Sequence, residues 1–252
     1  MRFRKYSGYE ILRACLLGFL VATWATCENS RSDLLTADDH GFARARQRMV
    51  RQQIEGRGVR GERVLEAMRS VPRHRFVPEA YRSEAYHDGP LPIGYEQTIS
   101  QPYIVALMTE LLGLQGHEKV LEIGTGCGYQ TAVLAELAAH IYSIEIVPEL
   151  CARARADLSQ MGYSNIDIRC GDGFSGWAEA APFDAILVAA APSEVPPPLL
   201  EQLRVGGVLV IPVGDHQQEL VRIRRVSDSD FRHERILPVR FVPMTGEAER
   251  TH

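Results

Sequence analysis

A glycine-rich loop interrupts an apolar segment in the middle of the chain. The strand-like residues VLEI are followed by the loop GTGCG at residues 124–128, and helical apolar spacing resumes after it. In an open α/β sheet, ligands bind beyond the carboxyl ends of the strands, where bare backbone permits a close approach. A dinucleotide fingerprint needs glycine at position 129, where Tyr129 stands, and a phosphate loop needs Gly-Lys-Ser/Thr. The loop therefore indicates a nucleotide-like ligand but argues against NAD and ATP.

Two acidic residues follow later strand-like segments at positions that suit a nucleoside. Glu145 ends the next predicted strand about 20 residues after the first glycine, the distance at which a carboxylate meets ribose hydroxyls. Asp172, in the stretch GDG, is placed to accept a hydrogen bond from an adenine amino group. Together these features favour S-adenosylmethionine, which has no pyrophosphate to neutralise. The cofactor-binding residues predicted here are Gly124, Thr125, Gly126, Gly128, Glu145, Asp172 and Gly173.

The residues after the predicted fourth strand bear on which substrate atom receives the methyl group. Enzymes that methylate the amino groups of bases commonly carry an acid or amide there, followed by two prolines and an aromatic residue. This chain has AAAP at 189–192, and it also lacks the Cys-containing motif of enzymes that form an adduct with cytosine. A carboxylate, with a pKa of about 3 to 4, is ionised at neutral pH and needs no general base. The sequence therefore favours a carboxylate acceptor, with positioning supplying most of the rate effect.

Charge and cysteine usage set wider limits. The chain has 252 residues and a formal net charge of −4, so we expect no nucleic-acid partner. Its five widely spaced cysteines contain no C-x-x-C, which predicts reduced thiols rather than a disulfide framework or a zinc site. Because no H-x-x-x-H pair occurs either, we expect no metal. Cys127 is predicted to be a small loop residue, with a reactive thiol at a helix start as the alternative.

Alternating strand-like and helix-like segments supply the scaffold. Strands are predicted at 119–123, 141–146, 166–170, 183–189 and 207–213, with helices at 128–138, 148–161 and 196–203. This alternation predicts an α/β fold with a mostly parallel sheet and helices on both faces. Together with the predicted S-adenosylmethionine site, it indicates a Rossmann-like class I S-adenosylmethionine-dependent methyltransferase. Residues 219–228 and 235–243 predict a final antiparallel pair.

The region before the alternating segments is predicted to contain two helices. They are a short amphipathic helix around 64–71 and a second helix at 102–112, which begins with a proline. The chain at 73–94, between them, is rich in turn-forming residues and is predicted to be a connection.

The N-terminal residues have the order of a signal peptide. Basic residues precede an apolar stretch at 14–24, which is short for a membrane span, and small and then polar residues follow it. The predicted organisation is a possible signal peptide or anchor at 1–30, a linker or frayed helix at 31–48 and one methyltransferase domain at 49–252. A translation start near Met49 is the alternative. Because the cofactor is made in the cytosol, we expect a cytoplasmic protein, with export or tethering through residues 1–27 as the alternative.

Longer segments resemble the protein-L-isoaspartate O-methyltransferase family over about residues 49–246. They are LPIGYEQTISQPYIVALMTELL, VLEIGTGCGYQTAVLAEL, GDG, FDAILVAAAPSEVPPPLLEQLRVGGVLVIPVG and VRFVPMTG. TISQP is the most specific, since generic methyltransferases share the glycine loop but not this stretch. The resemblance implies that the free α-carboxyl of an isoaspartyl residue in a damaged protein is methylated. The ester then cyclises to a succinimide that reopens partly as aspartate. The implied partners are isoaspartyl proteins and peptides, and we expect a monomer.

The same resemblance implies roles for residues outside the glycine loop. Ser100 is implied to be the active-site residue, while Gln97, Thr98 and Ile99 line the pocket over the cofactor. Thr245 is implied to lie near the cofactor. The Ser100 hydroxyl is suited to orient a carboxylate by donating to it, and no partner motif supports a catalytic triad. Capping of the following helix is the alternative role for this serine.

Three rival functions remain open from the sequence. They are a methyltransferase of the same fold that acts on a small molecule, a cofactor-binding protein without catalysis, and a dehydrogenase.

Overall fold

The structure is a computed structural model that describes residues 37–249 of the chain, with side chains from 41 to 248. The predicted signal peptide at 1–30 lies outside the described residues. Contacts divide the chain into one unit that ends at Arg44 and a second that runs from Ala45 onward. Within the described part, no helix combines the length and apolar character needed to cross a membrane.

Helices and a small hairpin precede the main sheet. Helix α1 (Ala37–Met49) continues into a π-helical turn (Val50–Ile54), and it is followed by α2 (Glu62–Ser70), the hairpin strands β1 (Leu91–Gly94) and β2 (Gln97–Ile99), and α3 (Pro102–Leu112). Helices α2 and α3 confirm the predicted helices. α3 starts with proline and ends at Gly113, whose φ of 70° suits a C-cap glycine. Residues 37–48, predicted as a linker or frayed helix, are helical here.

The hairpin was not predicted. Strands β1 and β2 pair antiparallel, with Leu91 opposite Ile99. They occupy residues that the sequence assigned partly to a turn-rich connection. Their apolar residues Leu91, Ile93 and Ile99 are buried, so the hairpin is packed against the domain.

The second unit is built on a seven-stranded sheet. Its strands are β3 (Lys119–Ile123), β4 (His140–Glu145), β5 (Ile166–Cys170), β6 (Phe183–Val188), β7 (Leu203–Val213), β8 (Gln218–Arg225) and β9 (Phe231–Val239). Their order is β5-β4-β3-β6-β7-β8-β9. The first five pair in parallel and the last two pairings are antiparallel. The predicted mostly parallel α/β fold and its closing antiparallel pair are confirmed.

Three helices connect the parallel strands. They are α4 (Tyr129–Ala135), α5 (Pro148–Gln160) and α6 (Pro197–Glu201). Helix α6 is shorter than the predicted 196–203 because β7 already begins at Leu203, which pairs with Phe183 of β6. All five residues of β3 except Lys119 are buried, as expected for a strand covered on both faces. The core lies around such strands and includes Leu121, Ile123, Ile144, Phe183, Ile186, Val188, Leu209 and Ile211.

The strand order places a crevice next to β3. From β3 the chain adds β4 and then β5 on one side, whereas β6 and β7 lie on the other. Right-handed crossovers in opposite directions put their helices on opposite faces of the sheet. Ligands of doubly wound folds bind where this order reverses, which here is between the carboxyl ends of β3 and β6.

One prediction about the cysteines is wrong. Cys151 in α5 and Cys170 at the end of β5 form a disulfide, although the sequence predicted reduced thiols. The two cysteines are 19 residues apart and belong to no recognised sequence motif. The packing of α5 against β5 brings them together. Among the described cysteines, Cys127 is free and buried.

Candidate functional site

An open cleft lies at the crevice between β3 and β6. It encloses about 840 Å³ of space between protein atoms, including solvent at its mouth. Of the predicted site residues, the cleft is lined by Gln97, Thr98, Ile99, Ser100, Gly124, Thr125, Gly126, Glu145, Gly173 and Thr245. The structure therefore brings together segments that are far apart in sequence.

The glycine loop forms a bare floor for this cleft. The backbone N–H groups of Gly124 and Thr125 both donate to the carbonyl of Ile144, at 2.8 and 3.3 Å, which fixes the loop against β4. Gly124 has a φ of 94°, a conformation that favours glycine. On the opposite side, a Cβ added at Gly173 would lie 2.3 Å from the Cγ2 atom of Ile123. A ligand can thus lie against main chain where side chains do not fit.

Glu145 is held at the edge of the loop. One carboxylate oxygen accepts a hydrogen bond from the Gly126 N–H at 2.6 Å and the other from the Val147 N–H at 2.9 Å. The residue is only 5% exposed but lines the cleft. Because an ionised carboxylate has about four acceptor positions, it keeps capacity for the hydroxyl groups of a ligand.

A buried polar network supports the loop from below. Thr131 and Ser143 donate to the same oxygen of Glu122, at 2.6 and 2.5 Å. Thr125 in turn bonds to Ser143 at 2.6 Å between their hydroxyl oxygens. Burial, with a smaller contribution from the nearby charge of Glu145, raises the pKa of Glu122 to about 7 against the opposing effect of these hydrogen bonds. Glu122 was not predicted to be part of the site, because one acid in an apolar strand gives no spacing signal.

Ser100 lies where the cleft meets a second, open groove. The groove is lined by Pro90, Thr98, Ser100, Gln101, Ile104, Ala189, Pro238, Val239, Arg240, Phe241 and Val242. Ser100 and Thr98 line both cavities. The N-cap of α3 is Gln101, with no side-chain capping bond, so Ser100 does not cap this helix. Its placement is that of a group shared between two binding spaces.

The late segment at 242–245 closes the far side of the cleft. The Ala191 N–H donates to the Val242 carbonyl at 2.9 Å, and the Met244 N–H donates to the Ala191 carbonyl at 2.8 Å. This pairing brings Thr245 to the cleft, and its contact with the cofactor stays a prediction. It also brings in the preceding three residues, which the sequence analysis did not single out.

Two predicted cofactor residues do not line the cleft. The Asp172 carboxylate accepts from the N–H groups of Phe174 and Glu247, at 2.9 and 2.7 Å, and so ties the C-terminal turn to the end of β5. Gly128 is the N-cap of α4 with a φ of 86°, and an added Cβ would lie 3.0 Å from Leu158. Contact of either residue with the cofactor stays a prediction.

Other cleft residues were not predicted to be site residues. They are Val105, Ile123, Cys127, Tyr129, Gln130, Ile144, Ile146, Ala189, Ala190, Val242, Pro243 and Met244. Gln130 is held by a bond from its amide to the hydroxyl of Thr109 at 2.9 Å. Burial raises the pKa of the Cys127 thiol to about 11, so it is protonated at neutral pH, which argues against the reactive-thiol alternative. Within residues 37–249, no group of three or more His, Cys, Asp or Glu side chains could hold a metal ion.

Comparison with known proteins decides the family. The model of the protein-L-isoaspartate(D-aspartate) O-methyltransferase family matches residues 44–249. The chain belongs to this family. It is therefore an S-adenosylmethionine-dependent enzyme that methylates isoaspartyl residues, and the small-molecule alternative is not favoured.

Individual members of the family agree with this assignment. Protein-L-isoaspartate O-methyltransferase 2 of Shewanella sediminis is 54% identical over 223 residues, which cover 88% of this chain and 91% of the relative. Protein-L-isoaspartate O-methyltransferase of Picosynechococcus is 57% identical over 203 residues, with 81% and 91% covered. A solved protein-L-isoaspartate O-methyltransferase aligns with a TM-score of 0.74 at 29% identity, over 81% of this chain and 67% of that one.

Proposed function

We propose that the chain methylates the free α-carboxyl of L-isoaspartyl residues in damaged proteins, with Ser100 orienting that carboxylate. The observation that carries the proposal is the position of Ser100 at the junction of the glycine-lined cleft and the open groove. A cofactor in the cleft and a protein segment in the groove would meet at this serine. When bound, S-adenosylmethionine supplies a methyl group on a positively charged sulfur.

The cleft residues fit this cofactor. Gly124 and Gly126 offer bare backbone for its aminoacyl part, and Glu145 retains acceptor capacity for ribose hydroxyls. Gly173 and Ile123 line the cleft beside each other, and their close packing excludes a side chain at position 173, so a base there would contact bare main chain. We keep Asp172 as the proposed acceptor for the adenine amino group. Binding would then require one of its oxygens to accept a further hydrogen bond.

The chain's own contribution to the chemistry is mainly positioning. An α-carboxylate is already ionised at neutral pH, so no residue has to remove a proton from it. The Ser100 hydroxyl donates to one oxygen and leaves the other free to attack. A charge-assisted hydrogen bond of this kind holds orientation more firmly than a neutral one. Correct alignment of the reacting atoms is then the main source of rate enhancement.

The groove is built to hold an extended protein segment. Gln218 fixes one wall: its side-chain oxygen accepts from the Phe241 N–H at 2.6 Å, and its amide donates to the Phe241 carbonyl at 3.2 Å. The opposite wall is the start of α3 with Gln101 and Ile104. An open channel between fixed walls suits a polypeptide better than a small molecule, which pockets usually enclose.

Paired peptides test the proposed function. The enzyme is incubated with labelled S-adenosylmethionine and either an isoaspartyl peptide or its normal aspartyl twin. We expect label in the isoaspartyl peptide alone, released as methanol in mild alkali because the product is an ester. Equal labelling of the twins, or an alkali-stable product, would refute the proposal.

Location, domain limits and oligomeric state are further proposals. We propose a cytoplasmic monomer with a possible signal peptide or anchor at 1–30, a linker at 31–48 and the methyltransferase domain at 49–252. The Cys151–Cys170 disulfide is an observation that favours the exported alternative, since disulfides persist mainly in oxidising compartments. Cell fractionation followed by N-terminal sequencing of the isolated protein distinguishes the cytoplasmic proposal from the exported alternative. A mature N-terminus near residue 28 in an exported fraction would overturn the cytoplasmic proposal. The molar mass measured by light scattering tests whether the protein is a monomer.

A further inference from the structure

The disulfide lies directly behind the cofactor cleft. Cys170 is the last residue of β5 and pairs in register with Glu145. The next residue, Gly171, donates its N–H to the Glu145 carbonyl at 2.8 Å. Cys151 lies in the first turns of α5, which begins two residues after Ile146. The bridge therefore joins the two segments that carry Glu145 and Ile146 on one side and Gly173 on the other, all three of which line the cleft.

The two sulfurs differ in their access to solvent. Cys151 is fully buried, whereas Cys170 is exposed at the edge strand of the sheet. An external thiolate can therefore reach the sulfur of Cys170, and the sulfur of Cys151 becomes the leaving group. Access to one sulfur and stabilisation of the other as a thiolate are what thiol–disulfide exchange requires.

Arg155 lies beside both sulfurs of the bridge. Its Nη2 atom lies 3.9 Å from the sulfur of Cys151 and 3.7 Å from that of Cys170. The same atom donates to the Ile168 carbonyl at 2.7 Å, which holds the guanidinium in place. A nearby cation favours the thiolate form of cysteine. Structural disulfides buried in apolar surroundings lack such a setting.

We propose that Cys151 and Cys170 are a redox-active pair, and that its reduction by an external dithiol weakens the binding of S-adenosylmethionine. In the first step a thiolate of the dithiol forms a bond to the sulfur of Cys170, the bridge breaks and Cys151 leaves as a thiolate. The second thiol of the reductant then displaces Cys170. In total, two electrons and two protons pass to the pair, and the dithiol becomes a disulfide.

The effect on the cofactor follows from the position of the bridge. With the bond in place, the start of α5 and the end of β5 are held together before the ligand arrives. Without it, binding must order these segments, and the conformational entropy that this ordering costs lowers the affinity. We expect the dissociation constant to rise about 5- to 10-fold on reduction, with turnover at saturating cofactor unchanged.

The test uses the full chain with Cys15→Ser and Cys27→Ser, which removes the cysteines outside the described residues. The protein is equilibrated in glutathione buffers of graded ratio, the bridge is quantified by alkylation and mass spectrometry, and cofactor affinity is measured by calorimetry. We expect one two-electron transition and a parallel change in affinity. A bridge that never forms, one that survives every buffer, or an affinity that is the same in both states would overturn the proposal.

Two variants separate the redox effect from simple destabilisation. Cys170→Ala leaves the buried Cys151 in place and should bind the cofactor as the reduced enzyme does in every buffer. Arg155→Gln should move the transition to more reducing buffers and leave the affinity of each redox state unchanged. Ser159→Ala, on the exposed side of the same helix, is the matched control and should change neither. A transition unmoved in Arg155→Gln would contradict the assigned role of the guanidinium.

Discussion

Ser100 and Asp172 are two polar residues of the site whose surroundings differ, and we expect them to have different roles. Ser100 faces two cavities and has no capping role, whereas both oxygens of Asp172 are engaged with backbone N–H groups beside the cleft. The first placement suits a group that touches substrate. The position of Asp172 suits a residue that shapes the part of the site proposed for the cofactor.

We expect Ser100→Ala to lower kcat about 10- to 100-fold and to leave the cofactor dissociation constant within about twofold. The reason is that a hydrogen bond to a charged group contributes roughly 1.5–3 kcal/mol. Asp172→Ala should do the reverse, weakening cofactor binding while kcat at saturation is largely kept. Steady-state kinetics with an isoaspartyl peptide and calorimetry measure the two quantities. A similar loss of cofactor binding in both variants would show that the roles are wrongly assigned.

Glu122 makes the stability of the cofactor-free enzyme depend on pH. Its pKa is about 7 in the folded protein, above the ordinary 4.5, because burial disfavours the charged form. The folded state thus holds this proton more tightly than the unfolded state does. The resulting stabilisation is complete below about pH 4.5 and is lost as pH rises through about 7, by about 3 kcal/mol in total.

Glu122→Gln should remove this dependence. Urea unfolding at a series of pH values would show the free energy of unfolding of the wild type falling, relative to the variant, between about pH 4.5 and 7. The amide keeps an oxygen that can accept from Thr131 and Ser143. Parallel curves for the two proteins would mean that the pKa of Glu122 is not raised in the folded protein.

At the scale of elements, the hairpin β1–β2 is the part that most directly covers the site. It supplies Gln97, Thr98 and Ile99 to the cleft, and Arg153 of α5 donates to its Ile93 carbonyl at 3.0 Å. This bond links the hairpin to the helix that follows Glu145. The hairpin's position over the glycine loop therefore depends partly on one side chain from another element.

Arg153→Ala should raise the dissociation constant for the cofactor about 2- to 10-fold, since a typical hydrogen bond contributes roughly 0.5–1.5 kcal/mol. Thermal stability should change little, because the apolar residues of the hairpin stay buried. Gln160→Ala at the exposed end of α5 is the control and should bind as the wild type does. Unchanged affinity in Arg153→Ala, together with a lowered Tm, would assign the arginine to folding alone.

The sequence predicted the sheet well because buried parallel strands are continuous apolar runs. β3 and β5 lie at the predicted residues, and the glycine loop and Glu145 follow from the strand ends. The hairpin was missed because its turn residues, Tyr95 and Glu96, have φ values of 54° and 60°. Typical hairpin signals place glycine or asparagine at such positions. The disulfide and the Glu122 network were missed because both depend on pairing between elements, which spacing along the chain does not reveal.

At the scale of the whole molecule, the site is an assembly of distant segments around one reversal of strand order. The glycine loop follows β3, the triple alanine follows β6, and residues 242–245 return from beyond β9 to pair beside them. The late return also forms the wall of the groove through Arg240 and Phe241. The cleft and the groove therefore share this closing segment as a wall, so the C-terminal part of the chain shapes both of the proposed binding spaces.

Arg240 is an exposed positive charge on the groove that we propose for the isoaspartyl peptide, whose α-carboxylate is negatively charged. Arg240→Ala should raise the KM for such a peptide about 2- to 5-fold with kcat unchanged, as expected for an exposed charge pair. The effect should fade at high salt, where exposed charges are screened. Arg232→Ala removes the same charge from an exposed position of β9 outside the groove and should leave KM unchanged. Equal shifts in the two variants would mean that net charge, and not the groove, attracts the peptide.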